Sequence, residues 1–244
     1  MNQMRLDYVA ARLCSSSYPP QQYRVSYLLD DYIHHSDAIN DWDIFVGEGH
    51  EYNFAVFRGR GASSVLSWKE VIKACAYYFN PLRGNPYKLN RSHFEAWQQM
   101  SPKLYAAIQT VHLTQAQNDG VCKPWIFTGH ALGGAMATIA AASYKPAALT
   151  TFAAPRVGGK KFVAEVEDAC TWRRWVDGSD WTGMLPPRGH QLHGGDLYYI
   201  DSSGTLEINP SKTAQVFDFG KWFARHDIEN FVEYIEEGLT SEAK

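Results

Sequence analysis

The sequence predicts an α/β fold, a mostly parallel central sheet with helices on both faces. Apolar runs that read as strands alternate with helical spacings from about Tyr52 to Val176, the order that builds parallel strands with crossover helices. One such run, Pro124 to Thr128, meets Gly129-x-Ala131-x-Gly133 and passes at once into small and aliphatic residues that read as a helix. At 244 residues and 45% hydrophobic, with no internal repeat and no dividing linker, the chain has the material for one core, read as a single domain over 1–244.

The elements follow in order. Leu6, Val9, Ala10 and Leu13 recur at helical spacing from Met4 to about Ser15, and Tyr18-Pro19-Pro20 stops the pattern. A second possible helix covers Tyr23 to about His34. Trp42 to Val46 and Tyr52 to Phe57 read as a β-hairpin, which ends in the glycine-bearing loop Arg58-Gly59-Arg60-Gly61. Val65, Trp68, Val71, Ile72 and Cys75 give helical spacing from Ser64 to about Tyr78. Ser101-Pro102 reads as an N-cap followed by proline at the first helical position, opening a helix that runs out at Asn118-Asp119-Gly120. Beyond the glycine turn come a strand from Ala148 to Phe152, a helix from Gly159 to Cys170 and a strand from Trp172 to Val176. A hairpin, Leu197–Ile200 with Leu206–Ile208, and a helix from Asp227 to Glu237 complete the reading.

Composition excludes several classes of function. The net charge is −3, and Lys and Arg are scattered, which argues against nucleic acid and against a polybasic membrane patch. Aromatics reach 14%, with eight Trp, and serve mostly for packing, with room for a lipid-facing subset. No secretory signal is seen, and the longest weakly polar run, Ala131 to Ser143, is too short to span a bilayer. The expectation is a soluble protein, cytoplasmic or exported by a signal-independent route. Cys14, Cys75, Cys122 and Cys170 lack C-x-x-C spacing, so no metal or redox motif is read and free, mostly buried thiols are expected.

The glycine turn has the layout of a nucleophile elbow. In G-x-S-x-G a serine sits on a sharp strand-to-helix turn, with its hydroxyl held at the tip of the sheet. Here the central residue is Ala131, whose methyl group can neither give up a proton nor attack a carbonyl.

Several motifs, in order, resemble the class 3 (fungal-type) lipase family of the α/β-hydrolase fold. Thr128 to Ala135 resembles that family's G-H-S-L-G-G-A, and Val56-Phe57-Arg58-Gly59 its F-R-G strand end. Val65-Leu66-Ser67-Trp68 falls where the family carries a short Trp-containing lid. Thr151 to Gly158 resembles T-F-G-x-P-R-V-G, and Asp177 to Pro187 the N-x-x-D-x-V-P-x-L-P-P segment. The ordered set covers most of the chain from Tyr52 onward and is more specific than any motif alone.

The resemblance implies a carboxylic ester hydrolase acting on lipids, of triacylglycerol lipase or phospholipase A1 type, without metal or cofactor. Its chain order is nucleophile, acid, histidine. Asp180 takes the acid position ahead of Leu185-Pro186-Pro187, with Asp177 and Asp196 as runners-up. His226, before the last helix, takes the base position, while His193 is expected to be structural and His130 to pack beneath the turn. His190 competes with His226 on order alone. The oxyanion donors implied are the backbone amides of Leu132 and Arg60. Where the family usually has Ser or Thr, Arg60 brings no hydroxyl donor and offers a cation to a phosphate. Val65, Leu66, Trp68 and Ile72 would form an amphipathic lid over the acyl pocket that opens in transient contact with a lipid surface.

Ala131 admits two readings. Asp180 and His226 both stand in place, which favours an engineered Ser→Ala change in an otherwise complete site. The alternative is a natural pseudoenzyme that binds lipid or a protein partner in the old pocket.

Overall fold

A computed structural model describes residues 3–18, 31–37, 42–58, 84–118, 120–178, 180, 182–186, 191–211 and 225–242. Eight strands form one sheet in chain order: β1 (Asp31–Asp37), β2 (Trp42–Glu48), β3 (Asn53–Arg58), β4 (Trp125–His130), β5 (Ala148–Phe152), β6 (Thr171–Asp177), β7 (Asp196–Ile200) and β8 (Leu206–Ile208). Strands β3 to β7 are parallel to one another, and the antiparallel pairs β1–β2, β2–β3 and β7–β8 lie towards the two edges. The predicted α/β class is therefore realised.

The described helices are α1 (Gln3–Ser16), α2 (Arg91–Asn118), α3 (Leu132–Tyr144), α4 (Lys160–Ala169) and α5 (Ile228–Glu242). They cover both faces, and the two-residue period of the strands decides which side chain meets which layer. Ile44, Val46, Ala55, Phe57, Trp125 and Phe127 pack in one cluster with α2, α3 and α4. Their alternates Phe45, Phe54, Val56 and Ile126 pack in the other, with α1 and α5. A strand covered on both faces has no solvent side to carry polar residues, which is why β4 reads as a nearly continuous apolar run.

Two elements differ from the sequence reading. Residues 31–34, read as the end of a possible helix, belong to β1, which pairs along its whole length with β2, so strand pairing overrides the local helical spacing. Tyr23 to Asp30 lie outside the described residues. The helix expected to start at Ser101 begins ten residues earlier, at Arg91, and carries Pro102 in its interior. Its cap is Asn90, whose Oδ1 accepts from the His93 amide at 3.3 Å. Buried Ala96, Trp97, Met100, Leu104, Ala107, Ile108 and Val111 make one stripe across the proline. That burial outweighs the roughly 3 kcal/mol an interior proline costs.

The N-terminal helix is fastened through a buried ion pair. Asp7 Oδ1 accepts from Arg173 Nε at 2.7 Å and Thr150 Oγ1 at 3.2 Å, and Oδ2 accepts from Trp175 Nε1 at 3.2 Å. Burial raises the Asp7 carboxyl above its ordinary value, and the Arg173 charge opposes that.

Candidate active site

The carboxyl ends of β4, β5 and β6 lie side by side, and backbone hydrogen bonds stitch the residues that follow them together. The Ala131 amide donates to Phe152 O at 2.9 Å, and the Ala153 amide to Trp175 O at 2.9 Å. In a parallel sheet this edge is where loops from successive strands converge.

Between β4 and α3 the chain turns on one residue, Ala131, at φ 53° and ψ −123°. An L residue held there stores about 1–3 kcal/mol of strain. The flanking glycines are required by space. A Cβ on Gly129 would lie 2.4 Å from the backbone carbonyl of Gly133, and one on Gly133 would lie 2.0 Å from Phe57 O. The second contact shows how closely the first turn of α3 presses on the end of β3, at Phe57 and Arg58. Leu132 opens α3, and its amide, in the first turn, has no intrahelical carbonyl to meet.

Beyond β6, Asp180 is buried at 1% exposure. Its Oδ1 accepts from the Thr182 amide at 2.9 Å, and its Oδ2 lies 2.9 Å from His226 Nδ1. A 3-10 turn, Thr182–Met184, follows, and the Arg156 guanidinium pins it by donating to the carbonyls of Met184 and Pro186. Thr182 Oγ1 stands 3.1 Å from the same His226 nitrogen. Nδ1 therefore carries the hydrogen between two oxygen acceptors, and Nε2 of the neutral ring keeps a lone pair that can take a proton.

His226 sits at the mouth of α5, where Asp227 caps the helix by accepting from the Glu229 amide at 3.1 Å. The preceding residue, Arg225, donates to Asp177 Oδ2 at 3.0 Å, so the loop is tied twice to the end of β6. Burial lowers the pKa of His226, but the charge and hydrogen bond of Asp180, with the charge of Asp227, more than reverse this and leave it raised.

His130, the last residue of β4, reaches the same place from below. Its ring centroid is 4.8 Å from that of His226, its Nε2 lies 2.8 Å from His226 O, and its Nδ1 lies 3.0 Å from Tyr18 Oη. Burial first, then the neighbouring His226, drives its pKa down to about 3. The ring is buried and lies against His226, a contact the sequence reading did not include.

Of the residues singled out from sequence, the structure brings Asp180 and His226 into direct contact and places His130, next to Ala131 in the chain, against the His226 ring. Asp177 is engaged with Arg225, Asp196 accepts from Asn209 Nδ2 at the exposed start of β7, and His193 Nε2 meets Gly183 O. Arg60, the segment carrying Val65, Leu66, Trp68 and Ile72, and His190 lie outside the described residues. Cys14, Cys122 and Cys170 are free thiols, and Cys75 lies outside the described residues. Thr182, Arg225 and Tyr18 escaped the sequence reading because each acts across a long separation. Thr182, two residues after a candidate acid, was the most findable of them.

A family model, "Lipase (class 3)", matches residues 55–189. Sequence comparison with curated proteins finds no match. Among solved structures, the chain resembles a lipase from Rhizopus microsporus var. chinensis at 20% identity and TM-score 0.71, over 92% of this chain and 85% of that one. It resembles the Rhizomucor miehei lipase in its propeptide complex at 20% identity and TM-score 0.70, over 93% and 80%. A mono- and diacylglycerol lipase from Aspergillus oryzae aligns at 17% identity and TM-score 0.67, over 92% and 96%.

Proposed function

The chain belongs to the class 3 lipase family, whose members hydrolyse lipid esters, and from that premise we propose a single-domain enzyme that works by acyl transfer when serine stands at position 131. The serine hydroxyl attacks the ester carbonyl and gives its proton to His226 Nε2. Asp180 holds the imidazolium that forms, and the tetrahedral oxyanion rests on the amides of Leu132 and Arg60. The proton passes to the departing alcohol, and a water activated by the same histidine releases the acid. The observation that carries this reading is the 2.9 Å contact of Asp180 with His226, beside an elbow whose backbone holds the strained turn.

As it stands, with a methyl group at 131, the chain keeps the base and its orienting acid but has nothing for the base to activate. Removing the nucleophilic serine from a serine hydrolase costs about a millionfold in turnover, and a loss of that order is expected here. The substrates fitting the family are triacylglycerol or phospholipid esters, with residues 65–72 acting as a lid in transient contact with a lipid surface.

The test is hydrolysis of a short-chain ester, a triacylglycerol emulsion and phospholipid vesicles by Ala131→Ser beside the chain as given. Turnover on at least one substrate, lost on adding His226→Ala, is the expected result. A folded Ala131→Ser protein silent on all three would overturn it in favour of a pseudoenzyme.

A further inference from the structure

Behind His226 runs a hydrogen-bonded chain that ester hydrolysis as set out above does not use. His130 Nε2 lies 2.8 Å from His226 O, and a carbonyl can only accept, so Nε2 carries the hydrogen. Nδ1 of a neutral ring is then bare and accepts from the Tyr18 hydroxyl at 3.0 Å. Each bond selects the tautomer that the other needs. The two imidazoles are 4.8 Å apart and inclined by 39°, so His130 also occupies one side of the His226 ring.

Tyr18 lies two residues beyond the end of α1, and that helix is fastened elsewhere to the helix His226 introduces. Ser15 Oγ donates to Glu229 Oε1 at 2.5 Å, and Tyr8 Oη to Glu236 Oε1 at 3.0 Å. The Asp7–Arg173 pair anchors the same helix to the sheet. The N-terminal segment is thus joined to α5 by two side-chain links and to the His226 turn by a third, which passes from Tyr18 through His130.

We infer that His130 and Tyr18 are positioning residues for His226: His130 holds its backbone carbonyl and one side of its ring, and Tyr18 fixes the tautomer of His130 that can do so. The inference rests on the reading of His226 as the general base. A base with its carbonyl tied cannot swing as a unit with the turn, so Nδ1 stays between Asp180 and Thr182. An imidazole free to rotate would lose that contact for part of the time. The neutrality of His130 belongs to the device, since a second cation against His226 would oppose the imidazolium that catalysis creates.

Among the described residues, the charged groups acting on His226 are Asp180 and Asp227, which favour its protonated form, and neutral His130 lies against its ring. Loosening the turn weakens the Asp180 contact while burial remains, so the His226 pKa must fall.

The experiment is an NMR titration of the His226 ring in the chain with Ala131, where no substrate is needed, for the parent, Tyr18→Phe, His130→Phe and His130→Gln. The first two variants should lower the His226 pKa by about half a unit or more, whereas His130→Gln, whose amide can donate to the same carbonyl, should keep most of it. In an Ala131→Ser background, Tyr18→Phe should lower kcat about tenfold with KM little changed, and move the acid limb of the pH profile downward. Tyr18→Phe removes one hydroxyl and keeps the ring, so it should fold. If Tyr18→Phe and His130→Phe lower Tm but leave the titration in place, the residues are merely structural and the inference fails. If Ala131→Ser hydrolyses nothing, the proposed reaction fails, while the titration still decides whether the brace holds His226.

Discussion

Ala131 and Gly133 carry opposite kinds of constraint. Ala131 has room for a side chain but an unfavourable backbone, at φ 53° and ψ −123°. Replacing its methyl by hydroxymethyl changes neither, so Ala131→Ser should leave the urea-unfolding free energy within about 1 kcal/mol. Ala131→Gly relieves about 1–3 kcal/mol of strain and adds about 0.5–1 kcal/mol of unfolded-chain entropy, so it should stabilise by about 1 kcal/mol in the same measurement. Gly133 has ordinary dihedrals but no space, with a Cβ meeting the Phe57 carbonyl oxygen at 2.0 Å. Gly133→Ala must part α3 from β3 and should cost about 3 kcal/mol. A Gly133→Ala protein as stable as the parent would show that this contact is slack.

At the scale of elements, the sheet edge is assembled by ties between segments far apart in sequence. Asp7 in α1 and Arg173 in β6 are both almost fully buried, with side chains 1% and 3% exposed. Deleting one partner strands the other charge, so Asp7→Ala should destabilise by about 3–5 kcal/mol in urea unfolding. Because α1 also leads into Tyr18, which meets His130, the same variant should disturb the His226 titration, whereas an equally destabilising change in α4 should not. The long helix α2 is the element that local rules misplaced. Ser101-Pro102 satisfies the preferences of a helix start, yet the apolar stripe running through it from Ala96 to Val111 shows the helix already under way. Extending the spacing of Leu104, Ala107, Ile108 and Val111 backward would have found it.

For the whole molecule, the pH dependence of stability follows from histidines held in different charge states. His93 and His130 are neutral in the fold, with burial pushing each pKa down to about 3. In the unfolded chain both protonate near 6.5. Between those values the unfolded state binds up to two more protons, so stability falls as pH drops from about 6.5 towards 3, by about 1.4 kcal/mol per pH unit for each histidine. His226 runs the other way, since its folded pKa is raised: its contribution is complete below about 6.5 and is lost as pH rises through the folded value. Urea midpoints between pH 7.5 and 4.5 should show the acid loss, and His93→Asn should flatten it. An unchanged slope in that variant would show that His93 is not held neutral.

By itself, the sequence determined the α/β alternation, the strands from Trp42 to Ile208, the elbow with alanine at its centre, and Asp180 and His226 as the pair to bring together. Those features are written in periodicity, in glycines that backbone contact requires, and in motifs whose order along the chain is their meaning. Only the tertiary structure decided that residues 31–37 pair as an edge strand, that α2 runs through its proline, and that the segment after α1 reaches the His226 turn by way of Tyr18 and His130. The physical reason is the same each time: pairing, burial and side-chain hydrogen bonds join one segment to another, and such a bond leaves no periodic trace in either segment's own sequence.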